Sequence, residues 1–262
     1  MTNDQPPTTE LRPTERFSDR VADYVRYRPS YPPELLECLR RHCGLTPQWV
    51  VADIGSGTGL LTKIFLENGN RVFAVEPNAA MRAAGEEYLR GFSQLISREG
   101  RAEATGLDPR SVDLVTAGQA FHWFDRPRAR AEFARILKPG GWVALVWNER
   151  LTSTPFLADY EQLLHRYSRD YARVDHRNID EEALTEFFHP GHFRQEVFFI
   201  RQQFDWEGVQ GRWLSSSYVP AAGQPGHEQM RCELEAIFRR YQQDGLVDWE
   251  YKTRVYYSRF VE

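Results

Sequence analysis

The sequence predicts an α/β fold in which a doubly wound, mostly parallel sheet carries helices on both faces. Two observations predict it. Short apolar stretches rich in Val, Ile and Ala alternate with helix-forming stretches between residues 45 and 149, and three glycines at alternate positions directly follow the first apolar stretch. Strands that alternate with helices at this spacing form parallel sheets, and such sheets bind ligands at the carboxyl ends of their strands.

Two helices are expected before the sheet. The polar, proline-rich residues 1–14 are expected to be a disordered tail. Apolar residues then recur at helical spacing from Phe17 to Arg28, and Pro29 ends this helix. A second helix, in PELLECLRRHCG, ends at Gly44, which is suited to a left-handed cap.

The core between residues 45 and 149 is predicted to contain five strands. In chain order they lie in WVVADIG, RVFAVEP, QLISREG, SVDLVTAG and WVALVWNE. Helices are predicted between them in LLTKIFLENGN, in NAAMRAAGEEYLRGF and within AFHWFDRPRARAEFARILKPGG. Asp125 precedes the last of these helices and is predicted to be its N-cap rather than a catalytic residue.

The pattern changes after Glu149. An aromatic stripe at helical spacing runs from Phe156 to Tyr171, and a shorter helix is predicted in EEALTEFFHPG. Two late strands, FRQEVFFIRQQFDW and WEYKTRVYYSRF, are predicted to extend one edge of the sheet, with the helix QMRCELEAIFRRYQQDG between them. The sheet then has seven strands in a single domain, residues 15–262, and residues 150–220 form a helical cap on the acceptor side.

Charge, cysteine count and hydropathy exclude several classes of protein. The chain has 262 residues, a formal net charge of −4 and three cysteines. This charge argues against nucleic acid as a partner, and a sparse, odd cysteine count suits a reducing compartment, so a cytoplasmic location is expected. No apolar stretch is long enough to span a membrane, and the histidines lack metal-binding spacing. A monomer or a homodimer is expected.

The glycine cluster lies in DIGSGTG, residues 53–59, and its spacing restricts the ligand. A P-loop ends in Gly-Lys-Ser/Thr, and a dinucleotide fingerprint has Gly or Ala at its sixth position, whereas this chain has Leu60 at both places. The carboxylate of Asp53 is poorly matched to a pyrophosphate and better matched to a cationic cofactor. Glu76 ends the second strand, where a carboxylate accepts hydrogen bonds from the two hydroxyls of a ribose. A nucleoside cofactor is therefore expected.

These motifs resemble those of the class I S-adenosylmethionine-dependent methyltransferases. The resemblance is carried by DIGSGTG, VEPNAAM, GRAEATGLDPRSVDLVTAGQAFHWFD and ILKPGGWVALVW, in the expected order and spacing. It is greatest to small-molecule methyltransferases with an AxHW motif after the fourth strand, and it covers about residues 17–148. It implies a Rossmann-like fold, with S-adenosyl-L-methionine as the cofactor.

The resemblance also implies which residues contact that cofactor. They lie in the quoted motifs and are Asp53, Gly55, Ser56, Gly57, Gly59, Glu76, Pro77, Met81, Ala102, Glu103 and Gln119. Among them, Gln119 is implied near the amino-acid end of the cofactor, and Ala102 and Glu103 near adenine. Many relatives have an aspartate where Arg101 stands, and arginine cannot accept a hydrogen bond from adenine.

The end of the first helix is predicted to close over the cofactor. Tyr24 and Arg28 lie there, and the planar fork of Arg28 matches the two oxygens of the cofactor carboxylate. Ordinary packing of Tyr24 and solvation of Arg28 is the alternative interpretation.

The acceptor is expected at the same edge of the sheet, because aromatic side chains there would align it and exclude water. The predicted acceptor-binding residues are Phe121, His122, Trp123, Trp147, Asn148 and Tyr218. His122 titrates near neutrality and is the candidate general base; packing beside the cofactor is the alternative. A hydroxyl or carbon acid would need this base, whereas a carboxylate or thiolate would not.

The expected function is methyl transfer to a small, partly apolar organic acceptor. An RNA or protein methyltransferase usually carries a basic surface or an extra recognition domain, and the sequence contains no sign of either. A cofactor-binding protein without turnover is a further alternative, since DxGxGxG predicts binding but not catalysis. Leu60 disfavours an oxidoreductase.

Overall fold

Seven strands form one mixed sheet in this computed structural model, which describes residues 26–168, 171 and 181–260. The strands are β1 (Val50–Ile54), β2 (Arg71–Val75), β3 (Leu95–Arg98), β4 (Val112–Gly118), β5 (Leu137–Arg150), β6 (Arg194–Phe204) and β7 (Val247–Arg259). Their order across the sheet is β3-β2-β1-β4-β5-β7-β6. Only β7 runs antiparallel to its neighbours β5 and β6. The predicted seven-stranded, mostly parallel sheet is confirmed.

Helices cover the sheet and connect its strands. Those in the described part of the chain are α1 (Glu34–Cys43), α2 (Leu60–Glu67), α3 (Ala79–Tyr88), α4 (Arg126–Ile136), α5 (Pro155–Tyr167), α6 (Glu181–Phe188), α7 (Trp206–Leu214) and α8 (His227–Tyr241). As predicted, α1 ends at Gly44, which has a left-handed φ of 82°. The predicted tail and most of the first predicted helix lie outside the described residues. None of the helices described here is both long and apolar enough to cross a membrane.

Two hydrophobic clusters fill the two faces of the sheet. Phe121, Phe133 and Phe187 belong to the cluster on the α4 and α6 face, and Leu39 and Phe65 to the one on the α1 and α2 face. All five side chains are at most 2% exposed. Burying each contributes on the order of 1.5–3 kcal/mol, so the apolar stretches of the sequence fix the sheet between its two helical layers.

A third hydrophobic cluster joins α5, α7 and α8 to the start of β7, and we call these three helices the cap. Its buried members include Tyr160, Trp213, Leu234 and Trp249. The cap differs from the predicted residues 150–220 in two ways: α6 packs on the sheet core instead, and α8 lies beyond the predicted boundary. An amphipathic pattern shows that a helix has an apolar face, but not which neighbour covers it.

The carboxyl end of β5 extends past the other parallel strands. Gly118, at the end of β4, pairs with Val146, and β5 continues to Arg150, about 13 Å farther along the sheet. Residues 26–31, which we call the N-terminal segment, cross this region. Asn148 Nδ2 donates to Ser30 O at 3.1 Å, so the segment is fixed to the ligand-binding edge of the sheet.

Candidate active site at the carboxyl edge of the sheet

The loop after β1 has a backbone that glycine alone adopts without strain. Gly55, Gly57 and Gly59 have φ values of 70°, 56° and 84°. A Cβ on Gly55 would lie 2.6 Å from the Cβ of Ala120, and one on Gly59 would lie 2.5 Å from Leu89 Cδ1. The alternate glycines therefore serve two purposes, since they permit positive φ and let the loop approach the turn after β4.

Glu76 is held at the end of β2 by two backbone amides. Its Oε2 accepts from Gly57 N at 2.9 Å, and its Oε1 accepts from Asn78 N at 2.8 Å. Burial raises the pKa of Glu76, while the hydrogen bonds from Asn78 and Gly57 oppose that shift. Each carboxylate oxygen keeps a further lone pair, so the oriented carboxylate can still accept a hydrogen bond from each hydroxyl of a ribose diol.

Two buried acceptors near the glycine loop lack a donor among the described residues. Asp53 is fully buried; its Oδ2 accepts from Thr62 Oγ1 at 2.6 Å, but its Oδ1 has no partner. Gln119 has a positive φ of 57°, and its Nε2 donates to Asn148 O at 2.9 Å, which leaves Oε1 without a donor. Buried acceptors without donors are costly. A ligand carrying an ammonium group supplies the missing donors, so these residues fit the amino-acid end of S-adenosylmethionine.

The predicted adenine side is less open than expected. Met81 Cε lies 3.3 Å from the position of a Cβ on Gly57, and Ala102 is buried in the sheet core. Glu103 Oε1 accepts from Asp125 N at 2.8 Å, and Asp125 caps α4 as predicted. The Glu103 carboxylate therefore supports the start of α4, and its contact with adenine stays a prediction. Pro77 and Ser56 are half-buried at the same edge.

Phe121 and Trp147 pack in the sheet core. Both are buried, with ring centroids 6.0 Å apart, and Phe121 also packs against Phe187 at 4.7 Å. Their contact with an acceptor stays a prediction. The place of a residue directly after a strand shows at which edge of the sheet it lies, but not in which direction its side chain points. His122 and Trp123 are half-buried, with ring centroids 4.6 Å apart, and remain acceptor-side candidates.

Asn148 connects elements of the fold. Its Nδ2 donates to Ser30 O, its Oδ1 accepts from Thr253 Oγ1 at 2.6 Å, and its carbonyl accepts from Gln119 Nε2. Because the protein itself uses both polar atoms of the side chain, we assign Asn148 a structural role in place of the predicted acceptor contact.

Arg28 lies towards the cap. Its Nη2 donates to Ser215 O at 3.0 Å, just after α7. Tyr218 lies half-buried three residues farther along the chain. This position favours the acceptor side for Arg28 over the predicted cofactor carboxylate. Tyr24 lies outside the described residues.

Sequence reasoning missed two buried arginines in this region. Arg150 ends β5, and Arg212 lies in α7; the residues are 9% and 4% exposed. Each carried a weak signal, since Arg150 follows a predicted strand at the ligand-binding edge and Arg212 precedes Trp213 in a helix. Among the residues that the structure describes, no group of three or more side chains is arranged to hold a metal ion.

Asp53, the glycine loop, Glu76 and Gln119 line one place at the edge of the sheet, which we call the cofactor cradle. Together with the fold, this cradle is typical of a class I methyltransferase. A family profile described as a methyltransferase domain matches residues 52–145. An uncharacterised methyltransferase of Schizosaccharomyces pombe is 31% identical over 253 residues, 94% of this chain and 97% of its own length. A Saccharomyces cerevisiae protein designated a probable S-adenosylmethionine-dependent methyltransferase is 30% identical over 177 residues, 63% of this chain and 58% of its own.

A solved structure of similar fold agrees with these relatives. It is designated a type II methyltransferase and comes from Anaeromyxobacter dehalogenans. It has a TM-score of 0.66 and 25% identity, and the match covers 89% of this chain and 98% of that one. The chain belongs to the class I S-adenosylmethionine-dependent methyltransferases.

Proposed function

We propose that this protein binds S-adenosyl-L-methionine at the carboxyl edge of the sheet and transfers its methyl group to a small organic acceptor. One observation carries the cofactor assignment. Asp53 Oδ1 and Gln119 Oε1, two buried acceptors without donors among the described residues, flank a loop whose Gly57 amide orients Glu76. The cradle therefore offers acceptors to a cationic amine at one end and a carboxylate to a ribose at the other.

Different residues of the cradle would contact different parts of the cofactor. Asp53 and Gln119 would hold its amino-acid end, Glu76 its ribose, and Met81 would pack near its adenine. The bound cofactor supplies a methyl group already activated on a sulfonium. The protein then has to align the acceptor with the S–CH3 bond and exclude water.

Two features support a small acceptor. The N-terminal segment passes over the edge from Asn148 to Ser215, and the cap borders the same region, so a bound acceptor would be enclosed. The net charge of −4 gives no general attraction for nucleic acid. We further propose that His122 accepts a proton wherever the acceptor must lose one, so its role as a general base depends on the acceptor.

The test of the cofactor site is calorimetry with S-adenosylhomocysteine. Glu76→Ala removes two charge-assisted hydrogen bonds to the ribose, each worth at most about 1.5–3 kcal/mol, so we expect binding to weaken by at least tenfold. Glu87→Ala, which removes an exposed carboxylate from α3, is the control and should bind like the wild type. Unchanged affinity in Glu76→Ala would contradict the assignment of Glu76 to the ribose. Tight binding of NAD would contradict S-adenosylmethionine as the cofactor.

A transfer assay tests the acceptor class. Labelled methyl groups from S-adenosylmethionine should enter the small-molecule fraction of a metabolite extract. Incorporation into RNA or protein instead would overturn the small acceptor. Tight cofactor binding without transfer to any fraction would indicate a binding protein.

A further inference from the structure

A cluster of arginines lies between the cap and the end of β5. It consists of Arg150 in β5, Arg212 in α7 and Arg28 on the N-terminal segment, and we call it the arginine cluster. Tyr218 adjoins them, because its ring centroid lies 4.9 Å from that of Tyr171, whose hydroxyl accepts from Arg150 Nη2. Burial raises the pKa of the Tyr218 phenol, but the guanidiniums of Arg28, Arg212 and Arg150 outweigh burial and lower it overall. Three guanidiniums thus direct a positive potential at one hydroxyl.

One of these buried charges is paired and one is not. Arg150 forms an ion pair with Glu161, and Tyr171 Oη bridges it, donating to Glu161 Oε2 at 2.7 Å and accepting from Arg150 Nη2 at 2.9 Å. Arg212 has no carboxylate partner among the described residues. Its Nε donates to Tyr251 Oη at 2.7 Å, and its Nη1 donates to Ser216 Oγ at 3.1 Å. A buried guanidinium without an anion is strongly disfavoured, so an anionic ligand beside Arg212 would stabilise it.

Neighbouring side chains also carry donors that lack acceptors. Arg150 Nη1 and Tyr160 Oη are both buried without a hydrogen-bond partner among the described residues. These groups adjoin one another. Arg150 Cζ lies 4.7 Å from the ring centroid of Tyr160, and the ring centroids of Tyr160 and Trp249 are 4.8 Å apart. Arg212 Cζ lies 5.5 Å from the ring centroid of Trp249. An oxyanion would supply both the missing charge and several acceptors.

We propose that the methyl acceptor is a small organic acid and that Arg150, Arg212 and Tyr218 bind its oxyanion. This inference rests on the proposed function, because it names the substrate class of the same site. Arg150 is at the end of the strand that passes the cofactor cradle, and the N-terminal segment connects the two places. The rings of Tyr160 and Trp249 suit the apolar part of such an acid.

Binding measurements on the protein saturated with S-adenosylhomocysteine test this inference. The probes are succinate, citrate, benzoate and glycerol 3-phosphate, with succinamide and benzamide as neutral analogues at equal ionic strength. We expect at least one acid to bind and to raise the unfolding temperature, and the amides to do neither. Tighter binding of glycerol 3-phosphate than of the carboxylates would make the oxyanion a phosphate and still support the site.

Two variants locate the binding at the arginine cluster. Arg212→Met should weaken acid binding by at least tenfold, without lowering the unfolding temperature of the free protein, because the buried charge has no ion-pair partner in the part of the chain that the structure describes. Tyr218→Phe, a milder change, should weaken acid binding severalfold. Arg239→Met removes an exposed charge from α8 and should leave acid binding unchanged.

The outcomes separate this inference from the proposed function. If the wild-type protein does not bind S-adenosylhomocysteine, the proposed function itself is contradicted. Normal S-adenosylhomocysteine binding with no acid bound, with amides bound as tightly as acids, or with full acid affinity in Arg212→Met would overturn the inference alone. Methyl transfer to RNA would also overturn it.

Discussion

At the scale of single residues, Asp53 is a carboxylate that titrates near neutral pH in the free protein. Burial raises its pKa to about 7, the hydrogen bond from Thr62 opposes this shift, and the negative charge of Glu76 adds to it. The folded protein therefore holds this proton more tightly than the unfolded chain, whose aspartates titrate near pH 3.9. Stability is fully present at low pH and falls as pH rises towards 7, by about a few kcal/mol at most.

We predict that cofactor affinity depends on this ionisation. The ammonium group of S-adenosylhomocysteine favours the charged form of Asp53, so binding should tighten between about pH 6 and pH 8 and release a proton. Calorimetry in two buffers of different ionisation enthalpy measures that proton. Asp53→Asn should bind weakly and without this pH dependence, whereas Thr62→Val should shift the dependence to higher pH. Affinity that stays constant across this range would exclude Asp53 from the cofactor site.

Substitution of His122 tests which kind of atom in the acceptor receives the methyl group. A carboxylate attacks without losing a proton, so with an acid as acceptor we expect His122→Asn to keep turnover within about threefold of the wild type. A fall of about 10²–10⁴, together with loss of a limb in the pH-rate profile near the histidine range, would identify His122 as the base and a hydroxyl or carbon acid as the acceptor. Cofactor affinity is measured separately, so that a binding defect is not mistaken for slower chemistry.

Residue-level prediction from the sequence succeeded where the backbone dictated the residue type. Positive φ at Gly55, Gly57 and Gly59 follows from a loop that no other residue adopts easily, and so leaves a visible pattern. The sequence signals of Arg150 and Arg212 are weak and do not connect the two residues, because 61 residues separate them and only the packing of the cap brings them to one place. Long-range convergence of this kind has no period or spacing by which to predict it.

At the scale of elements, the N-terminal segment rests directly on α7. A Cβ on Gly211 would lie 2.0 Å from Cε2 of Tyr27, so the tyrosine ring occupies the space that a side chain at residue 211 would fill. Tyr27 Oη also donates to Glu207 Oε1 at 3.3 Å, and Arg26 forms an exposed ion pair with the same carboxylate. A glycine inside a helix is disfavoured relative to alanine by about 1 kcal/mol, and here it makes room for this contact.

We predict that Gly211→Ala displaces the N-terminal segment. Overpacking by the methyl group should cost about 1–3 kcal/mol, partly offset by the better helix propensity of alanine, and should weaken acid binding. Urea denaturation measures the stability. Gly91→Ala, where a Cβ meets no atom within 4 Å, is the control. In a double-mutant cycle, Tyr27→Ala should remove most of the cost of Gly211→Ala, and additive effects would contradict the contact.

The order of the strands was predictable, whereas α7 was not predicted and the partners of the helices were less evident. The sequence predicted all seven strands, because the buried parallel strands read as apolar runs between turns and the late strand β6 reads as an alternating stretch. The helix in EEALTEFFHPG was placed in the cap, yet its Phe187 packs against Phe121 and Phe133 on the sheet core. The sequence contains the apolar face of this helix, but the sheet surface that covers it depends on the whole topology.

At the scale of the whole molecule, one asparagine joins the cofactor cradle to the N-terminal segment. The Asn148 carbonyl accepts from Gln119, beside the cradle, and its side chain donates to Ser30. From Ser30 the segment runs back to Arg28, which contacts Ser215 beside the arginine cluster. The two proposed ligand sites are therefore connected by hydrogen bonds and a short length of chain.

We predict that the two sites are coupled through this connection. Ordering of the segment by S-adenosylhomocysteine should slow hydrogen exchange in residues 26–31 and raise acid affinity about fivefold or more. By linkage, the acid should raise S-adenosylhomocysteine affinity by the same factor. Asn148→Ala should reduce this factor to below twofold. Thr253→Val removes a buried hydrogen bond from the same asparagine but leaves its bond to Ser30, so it controls for lost stability and should keep the coupling. Exchange that does not change when S-adenosylhomocysteine binds, or equal coupling in Asn148→Ala and the wild type, would show that the two sites act independently and that the segment is a fixed part of the fold.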